Sequence, residues 1–555
     1  MVKVGGIYRA EIASLADNGY GLARIQKESI YVKQALPKEQ VSVKITKRLK
    51  QGYVGEIVKW HVRDAHRVSS PCAVYQGCGS CHLLHCEYEK QLTFKQEMVK
   101  DWVKNSRLPL TVQPVIGMAK PFGYRNKVIV SFQRDRSGKL QKGFYEEFSH
   151  RIIPYQSCLL HDDLMDDVIN SIAVLVEKQR IEPYDERRRR GFLRHVLIRK
   201  GRVSKELMVV LVTAAASFPG CKGFVGALLK RHPEITTIVQ NINSRSTSVV
   251  LGEEERILYG SGKIEDVLLG NRYQISSKSF YQINHEQCEV LYRKALELLE
   301  LKGTEILLDA YCGIGTIALS AAGHVKQVIG VESNKQAVRD AISNAKNNRI
   351  GNARFICDDA AHYMEEAAVR KKRFDVVVMD PPRSGSSEQF IKACARVRAG
   401  KIVYISCDPR TQLRDLAVFK RLGYEGDKLI PVDLFPHTNH VESVVMLSHK
   451  KPDSVINVKV VFGEGEGKVP LDNIVKRAEA YKPKERVTYK MIKEYIEAKY
   501  GFKVHTAYIA EVKRDLGLPM YDAPNAVEEL KQLRKHPTAE KIEAIKNALK
   551  HFELI

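Results

Sequence analysis

The sequence lacks long hydrophobic runs, and this absence excludes several classes of protein. No uninterrupted apolar run approaches the roughly 18 residues that a membrane-crossing helix needs. No apolar segment of the signal-peptide kind follows Met1-Val2-Lys3, so we expect a cytoplasmic protein in a reducing compartment. The 11 cysteines are then expected to serve metal binding or catalysis rather than disulfide bonds.

Acidic residues are also in short supply. The chain has 65 Asp and Glu residues against 89 Lys and Arg residues, which gives a formal net charge of +24. Such an excess predicts a polyanionic partner such as nucleic acid, although a merely solvated basic surface would have the same composition. At 555 residues the chain is too long for a single core, so we expect several domains.

Short β-like runs separated by Gly and Asn turns fill residues 1–60 and predict a small barrel of the OB type. The runs lie at 7–12, 29–32, 41–45 and 55–58. The loop at 17–21 offers an aromatic side chain, Tyr20, for a nucleic-acid face. Nearby cations would complete that face: Lys44, Lys47, Arg48 and Lys50.

The remainder divides into three regions by its pattern. Residues 61–275 begin with a segment rich in Cys and His and continue mostly as strands, which predicts an α+β central domain. Residues 276–450 alternate helices and strands, which is typical of a parallel, Rossmann-like α/β sheet. Residues 451–555 predict a linker, at the glycine-rich 462–467, followed by a small α-helical extension.

The helical extension resembles no motif strongly. Two helices at 487–500 and 505–516, around a tight turn at Gly501, would suit a helix-turn-helix module that touches RNA. A plain packing appendage fits the same pattern equally well, because acidic residues are interspersed among the basic ones.

Four cysteines form a candidate metal site. Cys72, Cys78 and Cys81 lie close together, and Cys158 lies far downstream. Four thiolates can hold a [4Fe–4S] cluster or a tetrahedral zinc ion, and a site without metal is a further alternative. The local choice of ligands stays open because three more candidates lie nearby: His82, His85 and Cys86.

A strand, a glycine turn and a helix at 306–318 predict a nucleotide-binding edge. Gly313 and Gly315 would let a ligand approach the backbone. Glu332, at the end of the next strand, is placed to accept hydrogen bonds from ribose hydroxyls, and Asp358-Asp359 could reach an adenine edge. An NAD site would fit as well, but Asp-Pro-Pro-Arg at 380–383 after a strand is typical of methyltransferases that act on planar nucleobases.

Cys407 lies between an apolar strand at 401–405 and a helical run at 410–419. Asp408 is the expected N-cap and Pro409 the expected first helical residue. Free backbone N–H groups and the helix dipole should lower the pKa of the thiol and favour the nucleophilic thiolate. The alternative is a small core cysteine.

Three segments in order carry a family resemblance: Asp-Pro-Pro-Arg at 380–383, Ser-Cys-Asp-Pro at 406–409 and His-Thr-Asn-His-Val-Glu at 437–442. With them, residues 1–450 resemble the RNA uracil-5-methyltransferases, and most of all the branch that modifies 23S ribosomal RNA. The resemblance implies a TRAM domain at 1–60 and S-adenosylmethionine as methyl donor.

The resemblance also implies roles for individual residues. Cys72, Cys78, Cys81 and Cys158 would hold a [4Fe–4S] cluster. Phe280 would stack on the target base, and Arg125 falls in a segment that contacts RNA. Contacts to S-adenosylmethionine would come from five side chains: Gln282, Tyr311, Glu332, Asp359 and Asp380.

The implied chemistry explains two further residues. C5 of uracil is a poor nucleophile, and addition of the Cys407 thiolate at C6 would activate it. A base must then remove the C5 proton, and Glu442 falls on that position. The target base must leave the RNA stack to be reached.

We therefore expect a monomeric enzyme that methylates C5 of a uridine in 23S ribosomal RNA. Two alternatives remain: a transfer-RNA uracil-5-methyltransferase, which would share every catalytic residue, and a non-catalytic iron–sulfur protein that binds or senses RNA. Cytosine-5 methyltransferases are disfavoured because a Pro-Cys motif is expected there, whereas Ser406 precedes Cys407.

Overall fold

The computed structural model describes residues 2–147, 149–247, 249–449, 488–516, 518 and 536–552. The chain forms two compact units, Met1–Asp453 and Ser454–Ile555. The expected linker at 462–467 lies outside the described residues. Among the helices described, none is long and apolar enough to cross a membrane.

The N-terminal strands close into a barrel, which confirms the prediction for this region. Its strands are β1 (Ile7–Leu15), β2 (Gly21–Ile25), β3 (Glu28–Val32), β4 (Gln40–Leu49) and β5 (Gly52–Val62), in the order β1-β2-β3-β5-β4. Apolar residues alternate along β4, so Val41, Val43 and Ile45 point into the barrel.

The expected nucleic-acid face of the barrel is only partly compatible with the structure. The four cations at 44–50 are exposed. Tyr20 is buried, and its hydroxyl donates a hydrogen bond to the Glu147 carboxylate. The aromatic ring is therefore not available to stack on RNA, and that expectation for Tyr20 is wrong.

The middle of the chain builds a mixed sheet in the order β13-β12-β11-β10-β7-β8-β9 and a separate hairpin, β14-β15. Its elements are α1 (Tyr88–Ser106), β6 (Thr111–Val112), β7 (Lys127–Arg134), β8 (Leu140–Tyr145), β9 (Ile152–Pro154), α2 (Asp163–Lys178), β10 (Leu193–Lys200), β11 (Leu207–Thr213), α3 (Cys221–Arg231), β12 (Ile235–Ile242), β13 (Glu254–Tyr259), β14 (Lys263–Leu268) and β15 (Asn271–Ser276). The amphipathic helix α2 buries its apolar face on this sheet, where Ile169 and Ile172 are fully buried.

The third part is a doubly wound α/β sheet. Its elements are α4 (His285–Leu299), β16 (Ile306–Asp309), α5 (Thr316–Ala322), β17 (Gln327–Glu332), α6 (Lys335–Asn347), β18 (Ala353–Cys357), α7 (Ala360–Val369), β19 (Val376–Met379), α8 (Glu388–Arg396), β20 (Lys401–Ser406), α9 (Pro409–Arg421), β21 (Tyr424–Glu425), β22 (Lys428–Val432) and β23 (Glu442–His449). The order is β18-β17-β16-β19-β20-β23-β22-β6, with β21 paired to β23.

Strands β16 to β20 are parallel, and β23 is antiparallel to β20. Their apolar runs, such as Val-Val-Val-Met in β19, are fully buried, as expected for a sheet covered on both faces. This part is the α/β architecture that the sequence predicts.

The second unit contains helices α10 (Tyr489–Tyr500), α11 (Thr506–Asp515) and α12 (Ala539–His551). The helix α10 ends at Gly501, which adopts φ +74°, a left-handed conformation that glycine tolerates best. Ile496, Ile509 and Ile545, one from each helix, are fully buried together.

Candidate active site

The strand order reverses between β16 and β19, and this edge of the sheet carries most of the predicted residues. After β16 the chain continues into neighbouring β17 and β18, whereas β19 lies on the other side of β16. Asp309 ends β16 and Asp380 directly follows β19. Ligands of doubly wound folds bind at such a switch point, outside the carboxyl ends of the strands.

The glycine turn after β16 leaves room for a ligand. Gly313 and Gly315 have φ +53° and +88°. A Cβ placed on Gly313 would meet no heavy atom within 4 Å, whereas one on Gly315 would come within 3.1 Å of the Phe355 ring. The Gly313 N–H donates to Glu332 Oε2 over 3.2 Å, so the turn is held while its outer face stays open.

The other predicted cofactor residues lie along the same edge. Glu332 ends β17, and Asp359 is the N-cap of α7, where its carboxylate accepts from the Ala361 and His362 N–H groups. The Tyr311 hydroxyl lies 3.0 Å from Ser386 Oγ. The side chain of Gln282 makes no hydrogen bond within the described part of the chain, which leaves its amide available to a ligand.

Three carboxyl groups lie at this edge, where Asp309 and Glu442 are buried and Asp380 is partly buried. Burial raises the pKa of Asp309 to about 7, and the nearby Asp380 adds to the effect. Burial alone raises the pKa of Asp380 to about 7. The pKa of Glu442 is raised well above its ordinary value by burial and then by Asp380. A positively charged ligand would lower the pKa values of these carboxyl groups and stabilise their ionised forms. The sulfonium and amino groups of S-adenosylmethionine carry such charge.

Cys407 and Glu442 lie opposite each other at the ends of two paired strands. Ser406, the last residue of β20, pairs with Ser443 of antiparallel β23. The next position of this ladder sets Cys407 across from Glu442, the first residue of β23. The structure thus brings the predicted nucleophile and the predicted base together from 35 residues apart in sequence.

The local structure around Cys407 follows the prediction. Asp408 is the N-cap of α9, with its carboxylate accepting from the Arg410 N–H, and Pro409 is the first helical residue. The Ser406 hydroxyl accepts from the Asp408 N–H over 3.1 Å, which closes the turn.

The predicted lowering of the Cys407 pKa is wrong for the free protein. Burial, and then the Glu442 and Asp380 carboxylates, together raise the pKa of the thiol to about 11, against the lowering effect of the nearby Arg383. The helix start stabilises a thiolate as expected, but tertiary neighbours outweigh it.

The two residues assigned to RNA differ in their surroundings. Phe280 is 66% exposed, which leaves its ring free to stack on a base. Arg125 is partly buried, and its guanidinium lies 5.9 Å from the centre of the Tyr124 ring. Within the part of the chain that the structure describes, its buried Nε has no hydrogen-bond partner, and its charge lowers the pKa of the thiols of Cys81 and Cys158. This position favours contact with the cysteines over contact with RNA.

The four predicted cluster cysteines are free thiols and only partly buried. Burial raises the pKa of Cys81 to about 12, and the thiols of Cys158, Cys78 and Cys72 contribute to the shift, so the four share one neighbourhood. Among the described residues, no group of three or more His, Cys, Asp or Glu is arranged to hold a metal ion. The structure therefore does not confirm the expected metal site at the four cysteines.

Two of the three nearby alternatives to these cysteines make other contacts. His85 Nδ1 lies 2.5 Å from the Tyr75 hydroxyl, and burial lowers the pKa of His85 to about 3. Cys86 is buried against Leu36 and Phe94. The backbone N–H of His82 donates to the His437 carbonyl over 2.9 Å, but its imidazole Nδ1 is buried without a hydrogen-bond partner among the described residues.

The sequence predicted no role for two arginines that lie at the site. Arg383 is exposed, and its charge lowers the pKa of both Cys407 and Glu442. Its position directly after Pro381-Pro382, at a strand end, could have indicated a residue of the site from the sequence. Arg410 pairs with Asp17, 393 residues earlier, and no local pattern predicts such a contact.

The chain resembles known proteins along most of its length. Residues 241–450 match the family model described as tRNA (Uracil-5-)-methyltransferase. An uncharacterized RNA methyltransferase of Halalkalibacterium halodurans is 39% identical over 452 residues, which cover 81% of this chain and 98% of the relative. One from Bacillus cereus is 40% identical over 438 residues, which cover 78% and 95%.

A solved structure has the same architecture. It is the Pyrococcus abyssi tRNA (uracil-54, C5)-methyltransferase in complex with S-adenosyl-L-homocysteine, 28% identical, with a TM-score of 0.65. The match covers 79% of this chain and all of that one. Fold and site therefore define an enzyme of the RNA methyltransferase class. Within that class, the chain belongs to the RNA uracil-5-methyltransferase family.

Proposed function

We propose that this enzyme uses S-adenosylmethionine to methylate C5 of a uridine in 23S ribosomal RNA. The observation that carries the reaction is Cys407 opposite Glu442 at the ends of β20 and β23, beside the partly buried Asp380. A nucleophile for C6 and a base for the C5 proton must act on adjacent carbons of one ring, and this pair meets that requirement.

The chain's own residues divide the chemistry between them. The deprotonated Cys407 Sγ bonds to C6, which makes C5 nucleophilic. When bound, S-adenosylmethionine supplies the electrophilic methyl group. Glu442 then takes the C5 proton, and the electrons of that C–H bond restore the ring double bond as Sγ leaves. A raised pKa makes the Glu442 carboxylate a stronger base for this step.

The residues that would hold S-adenosylmethionine line the switch point. Gly313 and Gly315 keep the backbone open, and Glu332 faces the turn. Asp380 would lie near the positive charge of the ligand. Tyr311, Asp359 and Gln282 complete the proposed set, and the Pyrococcus neighbour's complex with S-adenosyl-L-homocysteine supports it.

The target uracil is proposed to leave the RNA stack and rest on Phe280. An exposed aromatic ring compensates the stacking energy that a flipped base loses. Arg125 remains a proposed RNA contact, although its inward position does not favour that role.

The four cysteines are proposed to hold a [4Fe–4S] cluster, with Cys72, Cys78, Cys81 and Cys158 as ligands. The cluster would tie the loop that carries Cys81 to the distant Cys158. The chemistry of methylation requires no step through it.

The choice of ribosomal RNA rests on the combination of the barrel, proposed as a TRAM domain, with the four cysteines. Transfer RNA is the second candidate, because the Pyrococcus neighbour acts on uracil-54 of tRNA and matches the chain over 79% of its length. A non-catalytic role is disfavoured because the pair Cys407 and Glu442 is intact.

Two substitutions test the mechanism. We expect Cys407→Ala to abolish methylation while S-adenosylmethionine still binds. Glu442→Gln should let a covalent RNA adduct accumulate, because methylation proceeds but elimination stalls. Denaturing gels of protein with labelled RNA report the adduct, and the double variant is the control without a nucleophile. Near-normal turnover of Cys407→Ala, or no adduct with Glu442→Gln, would contradict the assignment.

A further inference from the structure

The loop between β1 and β2 of the barrel reaches both segments that carry the proposed catalytic pair. We call residues 16–20 the clasp loop. One segment follows Cys407 at the start of α9, and the other precedes Glu442.

Asp17 supplies the contacts to both segments. Its Oδ2 lies 3.0 Å from Arg410 Nη1, and its backbone carbonyl accepts from Asn439 Nδ2 over 2.6 Å. Its Oδ1 accepts from Trp102 Nε1 over 3.3 Å. One residue of the barrel is thus bonded three positions after Cys407 and three positions before Glu442.

Arg410 links Asp17 to the turn beside Cys407, because it also binds Asp408. Its guanidinium forms a fork on the Asp408 carboxylate, with Nε–Oδ1 and Nη2–Oδ2 distances of 3.0 and 2.8 Å. The same guanidinium lies 5.5 Å from the centre of the Trp102 ring. Two-point contacts of this kind fix orientation as well as distance. The start of α9 is therefore held from both sides.

Gly19 brings the clasp loop close enough for these contacts. It adopts φ +78°, and a Cβ there would lie 2.9 Å from His82 Cβ and 3.3 Å from Asn439 Cβ. The loop is also internally tied, since the Gly19 N–H donates to the Ala16 carbonyl over 2.8 Å. A side chain at position 19 would push the loop away from the segment that leads to Glu442.

We propose that Asp17 is a positioning residue, through which the barrel aligns the segments bearing Cys407 and Glu442. The inference rests on the proposed function and adds to it a role for the barrel in the chemical step. Asp17 and Arg410 are each about half exposed, at 54% and 51% of the side chain. An exposed ion pair of this kind contributes little to stability, so its loss should alter alignment more than folding.

The test compares Asp17→Asn with wild type. We expect the single-turnover rate of methyl transfer, at saturating RNA and S-adenosylmethionine, to fall roughly tenfold or more, because small misplacements of reacting groups are costly. The dissociation constant for RNA should stay within about twofold, since no base or phosphate contact is assigned to Asp17. Glu11→Gln is the matched control. It removes an equal negative charge from the same barrel, at an exposed residue of β1 outside the clasp loop.

A second readout does not depend on turnover. Hydrogen exchange of the amides of Cys407, Asp408 and Arg410 should quicken in Asp17→Asn, which weakens the ion pair to Arg410 but keeps the backbone bond to Asn439. In Gly19→Ala, exchange should quicken at 437–442 as well, and it should stay unchanged in Glu11→Gln. An unchanged transfer rate, or equal losses of rate and RNA affinity, would overturn the positioning role. If wild type makes no 5-methyluridine, the proposed function fails, and unchanged exchange in both variants would then overturn the clasp as well.

Discussion

At the scale of single residues, the edge of the sheet holds an excess of negative charge that a cationic ligand would balance. Asp309 and Glu442 are buried and Asp380 is partly buried, and the charge of the exposed Arg383 acts on Cys407 and Glu442. Burial first, and then the Glu442 and Asp380 carboxylates, raise the pKa of the Cys407 thiol and disfavour its thiolate. Activation of Cys407 is therefore expected to depend on what binds beside it.

Cofactor charge should control the reactivity of Cys407. At pH 8 the thiol, with a pKa raised to about 11, should react slowly with iodoacetamide. S-adenosylmethionine should accelerate alkylation, because its sulfonium charge lowers the pKa, and each unit gives roughly tenfold more thiolate. S-adenosylhomocysteine, of nearly the same shape but without that charge, is the matched control. Peptide mass spectrometry measures alkylation at Cys407, and equal rates with the two ligands would contradict this account.

Asp309 should make stability depend on pH in the free protein. Its folded-state pKa of about 7 lies above that of an unfolded aspartate, so its contribution is full only below about pH 4 and is lost progressively as pH rises to about 7. Oδ1 has no hydrogen-bond partner among the described residues, while Oδ2 accepts from the Ala318 N–H over 2.9 Å. Asparagine can keep the latter bond without a charge.

We therefore expect the stability of Asp309→Asn relative to wild type to be greater at pH 8 than at pH 5, by on the order of 1–3 kcal/mol. Thermal unfolding without cofactor at the two pH values provides the measurement. The same stability difference at both pH values would show that Asp309 is ionised in the fold at little cost.

At the scale of elements, strands and their ends were predictable because their signals are local. The apolar run of β20, the Asp408 cap and Pro409 lie within a few residues of one another, and the structure has all three where the sequence predicts them. The pKa of Cys407 was not predictable, because Glu442 and Asp380 approach only through strand pairing. The bond of Asp17 to Arg410 and the burial of Tyr20 depend on long-range packing in the same way.

The glycine turn gives a prediction at this scale. Gly313→Ala should lower affinity for S-adenosylmethionine about tenfold or more, because the new methyl group enters the open space at the switch point. The positive φ adds a stability cost of about 1 kcal/mol. Isothermal titration calorimetry measures the affinity.

Gly323, at the other end of α5, is the matched control. It has φ −70°, and a methyl group placed on it would meet no heavy atom within 4 Å, so alanine there should leave affinity unchanged. If Gly313→Ala binds S-adenosylmethionine with wild-type affinity, the cofactor does not bind at this turn.

At the scale of the whole molecule, the barrel and the cysteine loop converge on the segment that leads to Glu442. Asn439 is held by Asp17 of the barrel, and the His437 carbonyl accepts from the His82 and Leu83 N–H groups over 2.9 and 3.0 Å. These contacts lie within the unit Met1–Asp453. The accessory parts are thus bonded to the proposed catalytic segment, which a division into domains by sequence pattern alone does not reveal.

The most direct test of the central claim is nucleoside mass spectrometry. Purified protein and S-adenosylmethionine are incubated with separated ribosomal and transfer RNA from cells that lack 5-methyluridine, and Cys407→Ala serves as the control. We predict new 5-methyluridine in 23S ribosomal RNA, none in transfer RNA and none with the variant. Product in transfer RNA alone would contradict the substrate, and 5-methyluridine formed by Cys407→Ala would contradict the mechanism.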